Sequence, residues 1–275
     1  VAFFLFCSLA LLLAIGLLGQ PYWLAHRRKR LRETAFPAEW RRILRERVPL
    51  VRHMPQHLQM QLKKHMQVFI AEKSFLGCGG LQVTEEMRVV IAAQACLLIL
   101  NRATDYFANV RQILVYPSAF VVNRVSVDDA GVHREGEEVR LGESWTQGQV
   151  VLSWDDALYG AEVADDGYNV VIHEFAHQLD QENGAARGAP PPLLGDATHD
   201  AQRWSVVFRA AYAHLQAQAR RGEQGLIDHY GAQDPAEFFA VVSEVFFEQP
   251  QALVAEYPAL YQELKGYYKL DPASW

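Results

Sequence analysis

The rhythm of apolar and polar positions divides the chain before any composition is counted. From Val1 to Gly19 the run VAFFLFCSLALLLAIGLLG carries no charge. As a helix rising 1.5 Å per residue it predicts a span of roughly 28 Å, about one hydrocarbon core. A basic collar, HRRKRLR, follows, with Tyr22 and Trp23 ahead of it as interfacial aromatics. After Pro37 the pattern turns helical. Ala38–Arg47 comes first, then Gln56–Lys73, in which Leu58, Leu62, Met66, Val68 and Phe69 recur at helix spacing. His57 and His65 share that second segment eight residues apart and read as solvent-facing positions. Gly77-Cys78-Gly79-Gly80 marks a turn, and Thr84 with Glu85 and Glu86 opens a third helix through Val89, Ile91, Ala92, Cys96, Leu97 and Leu100. Cys96 reads as a core filler.

Beyond Asn101 the period shortens. Ile113–Tyr116, Phe120–Val122 and Gln149–Trp154 are β-branched or aromatic runs bounded by Pro117, Asp128-Asp129 and Gly148, and predict a small sheet. From Asn169 the pattern is helical again: one helix through His173 and His177, one over Gln202–Ala219, one over Pro235–Phe247 and a last one near Leu253–Tyr267. The long Gly-, Ala- and Pro-rich stretch Asn183–Asp200 is a candidate lid or specificity loop. The organisation expected is a transmembrane helix at 1–19, a basic juxtamembrane linker at 20–36 and a single catalytic domain at 37–275. The positive charge follows the apolar run, so a cytoplasmic collar, a single pass through the inner membrane and a cytoplasmic domain are expected.

Composition sharpens this division. Half of the 275 residues are hydrophobic and 21% are charged, which suits a globular chain that needs no disulfide framework from Cys7, Cys78 and Cys96. The net charge of −6 conceals a segregation, because residues 1–32 hold five cations and no acid. An acidic remainder has the wrong sign for tracking phosphates, and direct nucleic-acid binding is not expected.

The chemistry lies in VVIHEFAHQLD. Four-residue spacing brings the imidazoles of His173 and His177 to one helix face, where both can bind one Zn²⁺ while Glu174 reaches a metal-bound water. A catalytic zinc needs a third protein ligand and an open position. Glu237, just inside an apolar helix opened by Pro235, is the preferred third ligand. Asp228, Asp234 and Glu248 remain alternatives among the nearby acids. Glu244 lies two turns beyond Glu237, roughly 10 Å along the same face, too far for the same ion, and reads as an acceptor behind a ligand or a helix-surface acid. Asp180 either orients a ligand imidazole or faces solvent. The strand-like VVLSW upstream is a candidate edge for pairing an extended peptide.

Together with YGAQDPAEFFAVVSEVFF, ILVYPSAFVV and SWTQGQVVLSW, this stretch closely resembles the Mlc titration factor A (MtfA) family of zinc-dependent peptidases, from about residue 37 onward. The YGxxxxAEFF stretch also resembles the catalytic domain of anthrax lethal factor. The resemblance implies an α+β, zincin-like fold of gluzincin type, mostly helical with a small mixed sheet, here preceded by the transmembrane helix. It implies His173, His177 and Glu237 as metal ligands, Glu174 as general base and Tyr230 as the hydroxyl that steadies the tetrahedral intermediate. His229 competes with Tyr230 for that last role. The expected activity is zinc-dependent peptide-bond hydrolysis, as an aminopeptidase or endopeptidase on a peptide or protein substrate. The family name adds a link to sugar-uptake genes through an Mlc-like transcriptional repressor. The alternative is a membrane-tethered binding protein that sequesters such a regulator with little or no peptidase activity.

Overall fold

The computed structural model describes residues 2–127, 133–140, 142–145, 148–182, 184, 186–190 and 201–275. The first helices are α1 (Ala2–Glu33), α2 (Ala38–Arg47), α3 (Leu50–His53), α4 (Gln56–Glu72) and α5 (Glu85–Leu97). The later ones are α6 (Trp154–Glu162), α7 (Val170–Asp180), α8 (Ala201–Arg221), α9 (Pro235–Glu248), α10 (Pro250–Glu256) and α11 (Pro258–Tyr268). The strands are β1 (Ser74–Gly77), β2 (Gln112–Tyr116), β3 (Phe120–Val127), β4 (His133–Arg140), β5 (Gly142–Trp145) and β6 (Gln149–Ser153).

Strands β1, β2 and β6 run parallel, and β5 closes the sheet antiparallel to β6, in the order β1-β2-β6-β5. The VVLSW strand is therefore internal, and β5 holds the edge. Valines 150 and 151 and Leu152 are buried within β6, as expected of a strand covered on both faces. Strands β3 and β4 form a separate hairpin, registered from Phe120 opposite Arg140 to Val127 opposite His133.

The centre of the body is α5, whose residues from Val89 to Leu97 are almost completely inaccessible. A helix apolar on every side has to be surrounded, and α2, α4, α6 and α7 do this. Thr84 caps it by accepting from the Met87 N–H (3.3 Å). Cys96 is fully buried in it. Proline breaks the C-terminal segment into two helices: Pro258 restarts the chain as α11 after Tyr257, where a single helix is expected from sequence. His57 is exposed, but His65 is buried, with Nδ1 3.2 Å from the Tyr106 hydroxyl. Burial, reinforced by Arg32, pushes the His65 pKa down to about 4.

The N-terminal expectation requires correction. Among the described residues no helix is long and apolar enough to cross a membrane, so the expected transmembrane helix and single-pass membrane location are not supported. Helix α1 runs without a break through Pro21 into the basic stretch, and its cations meet the body of the protein. Arg28 forms a two-pronged pair with Glu72 (2.9 Å on each prong), reaches Asp105 (2.5 Å) and lies over the Tyr106 ring. Arg27 donates to the Ala71 carbonyl (3.1 Å) and Arg32 to the Tyr106 hydroxyl (3.3 Å).

This clamp holds an unfavourable segment. Tyr106 and Phe107 are consecutive residues with φ near +55°, a conformation that costs of order 1–3 kcal/mol at each non-glycine position. Its result is to seat Phe107 against Phe175 of α7 (4.8 Å between ring centroids), with Phe69 of α4 alongside. Arg28→Ala removes charge-assisted hydrogen bonds worth about 1.5–3 kcal/mol each. Amides of residues 24–33 should lose hydrogen-exchange protection in this variant while those of α5 keep theirs; unchanged protection in α1 would show that the clamp does not hold it.

Candidate metal centre

Two capped helices build the site. Asn169 caps α7 by accepting from the Ile172 N–H (3.0 Å), and Val171, Ile172, Phe175 and Ala176 sink one face of the helix into the core. That leaves His173 and His177 together on the other face, with ring centroids 4.8 Å apart. Asp234 caps α9 by accepting from the N–H groups of Ala236 (2.8 Å) and Glu237 (3.0 Å), and Pro235 occupies the first turn. Helix α9 packs along α7, which brings Glu237 to the histidines.

The contacts are close. His173 Nε2 lies 3.0 Å from Glu237 Oε2 and 3.2 Å from His177 Nε2, and His177 Nε2 lies 3.4 Å from the same carboxylate oxygen. Ligand atoms at about 2.05 Å from a tetrahedral ion stand about 3.3 Å apart, so the three edges fit a zinc-sized cation. One ligand atom from each of His173, His177 and Glu237 falls within a 4.8 Å limit, and these three form the one His/Cys/Asp/Glu group of this kind among the described residues.

Behind His173 stands Glu244, whose Oε1 accepts from Nδ1 at 2.8 Å. With the proton on Nδ1 the lone pair of Nε2 faces Glu237 and His177, the tautomer a metal requires. Glu244 also accepts from the Asn169 backbone N–H (2.5 Å). Burial opposes charge on His173, but the Glu244 carboxylate and the bonds from Glu237 and Glu244 raise its pKa well above the ordinary value. Burial likewise opposes charge on Glu237, yet the hydrogen bonds from His173 and His177 hold its carboxyl well below the usual range. Both shifts report a cluster that demands positive charge at its centre.

The other candidates separate clearly. Glu174 is buried beside His173 on α7. Tyr230 lies in a short 3₁₀ turn (His229–Ala232) with its ring centroid 5.8 Å from that of His173. His229 instead donates through Nε2 to the Glu223 carbonyl (2.9 Å). Asp228 caps the 3₁₀ turn through the Tyr230 N–H (2.7 Å), Asp234 caps α9, and Glu248 accepts from Gly167 N–H (3.1 Å) and Asn169 Nδ2 (2.9 Å). None of these three acids joins the group around the histidines. Asp180 has neither expected role: its carboxylate accepts from the backbone N–H groups of Arg187 (2.7 Å), Gly188 (2.6 Å) and Ala189 (3.0 Å), and so anchors the chain beyond α7. Most of the candidate lid at 183–200 lies outside the described residues. Edge strand β5 packs against α7.

Sequence reasoning missed the Asn169–Glu248 pair. Asn169 reads only as the point where the helical pattern resumes, and nothing local signals a carboxyl 79 residues away.

A sequence model of the family described as glucose-regulated metallo-peptidase M90 matches residues 23–269. An uncharacterized protein of Synechocystis sp. is 42% identical over 255 residues, 92% of this chain and 92% of its own length. Mlc titration factor A of Serratia proteamaculans (strain 568) is 36% identical over 238 residues, 86% of this chain and 88% of that protein. The protein of the same name from Yersinia pestis (strain Pestoides F) is 33% identical over 237 residues, 86% and 85%.

Burial is the largest cause that pushes the Glu248 pKa up from 4.5 to about 9; Glu244 and Asp166 add to it, and the bonds from Asn169 and Gly167 oppose it. At neutral pH the folded chain holds a proton here that the unfolded chain has released. The stability this proton confers is complete below the unfolded value of 4.5 and is lost as pH rises through about 9. Urea unfolding between pH 5 and 9 should show a declining stability that Glu248→Gln flattens; an equal slope in the variant would contradict the assignment.

Proposed function

From the premise that this chain belongs to the glucose-regulated metallo-peptidase M90 family, we propose that it is a zinc peptidase that hydrolyses peptide bonds with a metal-activated water. The carrying observation is the convergence of His173, His177 and Glu237 within 4.8 Å, with Glu174 adjacent to His173 in the chain. Two imidazoles and one carboxylate with an open position are the donor set of catalytic zinc. The bound ion supplies Lewis acidity, lowering the pKa of its water and polarising the scissile carbonyl.

The remaining steps belong to the chain. Glu174 accepts a proton from the attacking water and delivers it to the leaving amine. Its burial beside His173 keeps it within the site and away from bulk water. Tyr230, exposed and beside His173, donates its hydroxyl proton as a hydrogen bond to the developing oxyanion. His229 is occupied elsewhere by the Glu223 carbonyl, which favours the tyrosine. Glu244 holds His173 in the ligating tautomer. Edge strand β5 offers backbone groups on which an extended peptide adds as a further strand.

A second reading rests on the name of the relatives. Proteins 33–36% identical over most of this chain are called Mlc titration factor A, so an Mlc-like transcriptional repressor is the partner to test. The two readings are compatible, because a repressor can be captured by a protein that also cleaves peptides.

Glu174→Gln separates the chemistry from the fold. Metal content should stay at the wild-type level while kcat/KM on a peptide library falls about 10²–10⁴-fold, the range for loss of a general base. Undiminished turnover in this variant would sink the mechanism. Retained capture of an Mlc-like repressor by the same inactive variant would make binding independent of cleavage.

A further inference from the structure

Helices α2, α3 and α4 enclose an open pocket of about 530 Å³, within the size range of small-molecule sites. Its apolar lining comes from Leu44 and Val51, both buried in the core. Its polar lining includes Arg41, Arg45, Arg52 and Lys63, with no carboxylate on the wall. Among the described residues none of these four cations meets an acid. Arg41 donates to the Phe36 carbonyl (3.2 Å) and Arg52 to the Arg45 carbonyl, which holds the arginines in place without neutralising them.

The segregation is local. Residues 38–64 contain seven lysines and arginines against two acids, in a chain whose net charge is −6. One of those acids, Glu46, is engaged by Arg42 (2.8 Å), which lies outside the pocket wall. Ordinary surface cations spread apart or find counter-charges. Here four of them, drawn from three consecutive helices, line one concavity whose wall carries no carboxylate.

We propose that this pocket binds a phosphate ester, an anion with at least two negative charges and an apolar body small enough to rest on Leu44 and Val51. Guanidinium forks match phosphate oxygens in pairs, and Lys63 adds a point charge. A single carboxylate would leave most of the four cations uncompensated. The pocket is built from elements other than α7 and α9, so the ligand is a second one, distinct from the peptide substrate.

The test titrates the full chain with inorganic pyrophosphate by calorimetry and compares it with the double variant R45Q/K63Q, whose two substitutions lie at exposed or half-exposed positions. Saturable binding weakened at least tenfold in the variant, with unchanged peptidase turnover, is the expected result. Co-sedimentation with vesicles containing phosphatidic acid, whose phosphomonoester headgroup can carry two charges, forms the second arm. Pyrophosphate binding without sedimentation assigns a soluble phosphate ester, whereas sedimentation abolished by R45Q/K63Q assigns a phospholipid headgroup. Absence of saturable binding in both arms would overturn the proposal. So would pyrophosphate binding of equal strength in R45Q/K63Q, which would put the anion at the metal centre instead.

Discussion

Two imidazole nitrogens and a carboxylate oxygen, held 3.0–3.4 Å from one another with little exposure to water, form the constraint on which the structure turns. Two ring nitrogens that face each other cannot both offer lone pairs without a positive charge between them. A proton on one imidazole meets that demand in part, and this is why the basicity of His173 rises and the carboxyl of Glu237 falls. A divalent cation meets it more fully, because it gives each of the three ligand atoms a partner.

Holding ligands in such proximity requires rigid backing, and most of that backing passes through Asn169. Its side-chain oxygen caps α7, its side-chain amide donates to the Gly160 carbonyl of α6 (2.9 Å) and to Glu248 of α9, and its backbone N–H donates to Glu244. One residue thus joins three helices behind the site. The fit is tight on the α6 side, where a Cβ on Gly160 would stand 3.0 Å from the Asn169 Cα. On the opposite side Phe175 packs into the rings of Phe69 and Phe107, so the strain at Tyr106 and Phe107 and the clamp from α1 bear on the same helix that carries His173 and His177. The basic end of α1 is thereby part of the support of the site.

How much of this was legible depended on how local each signal was. The histidine pair was legible because four-residue spacing on a helix leaves no choice of face, and Glu237 because Pro235, two positions earlier, marks a helix start. Helices α2, α4, α5, α7, α8 and α9 follow the apolar periodicity within a few residues. Strand β1 was missed, since Ser74–Gly77 is too short to carry a pattern and exists through parallel pairing with β2, 38 positions away. The edge position of β5, in place of the VVLSW strand, is likewise a property of sheet order and not of any one segment. Buried His65 was misread because its polar neighbours on α4 conceal a partner, Tyr106, that approaches from a distant turn. Asp180 was misread for the same reason: its three donors belong to a following loop without periodicity. At the N-terminus, charge segregation suggested a membrane collar, whereas Glu72 and Asp105 supply the counter-charges from within the body.

The central claim is that His173, His177 and Glu237 form one cation site. A competitive zinc titration of the wild-type chain and of Glu237→Gln at pH 7, with proton release followed in the same experiment, tests it directly. The expected result is one ion per wild-type chain, released protons on binding and an affinity at least tenfold weaker in the variant. Equal stoichiometry and equal affinity in the two proteins, or no binding to the wild type, would contradict it.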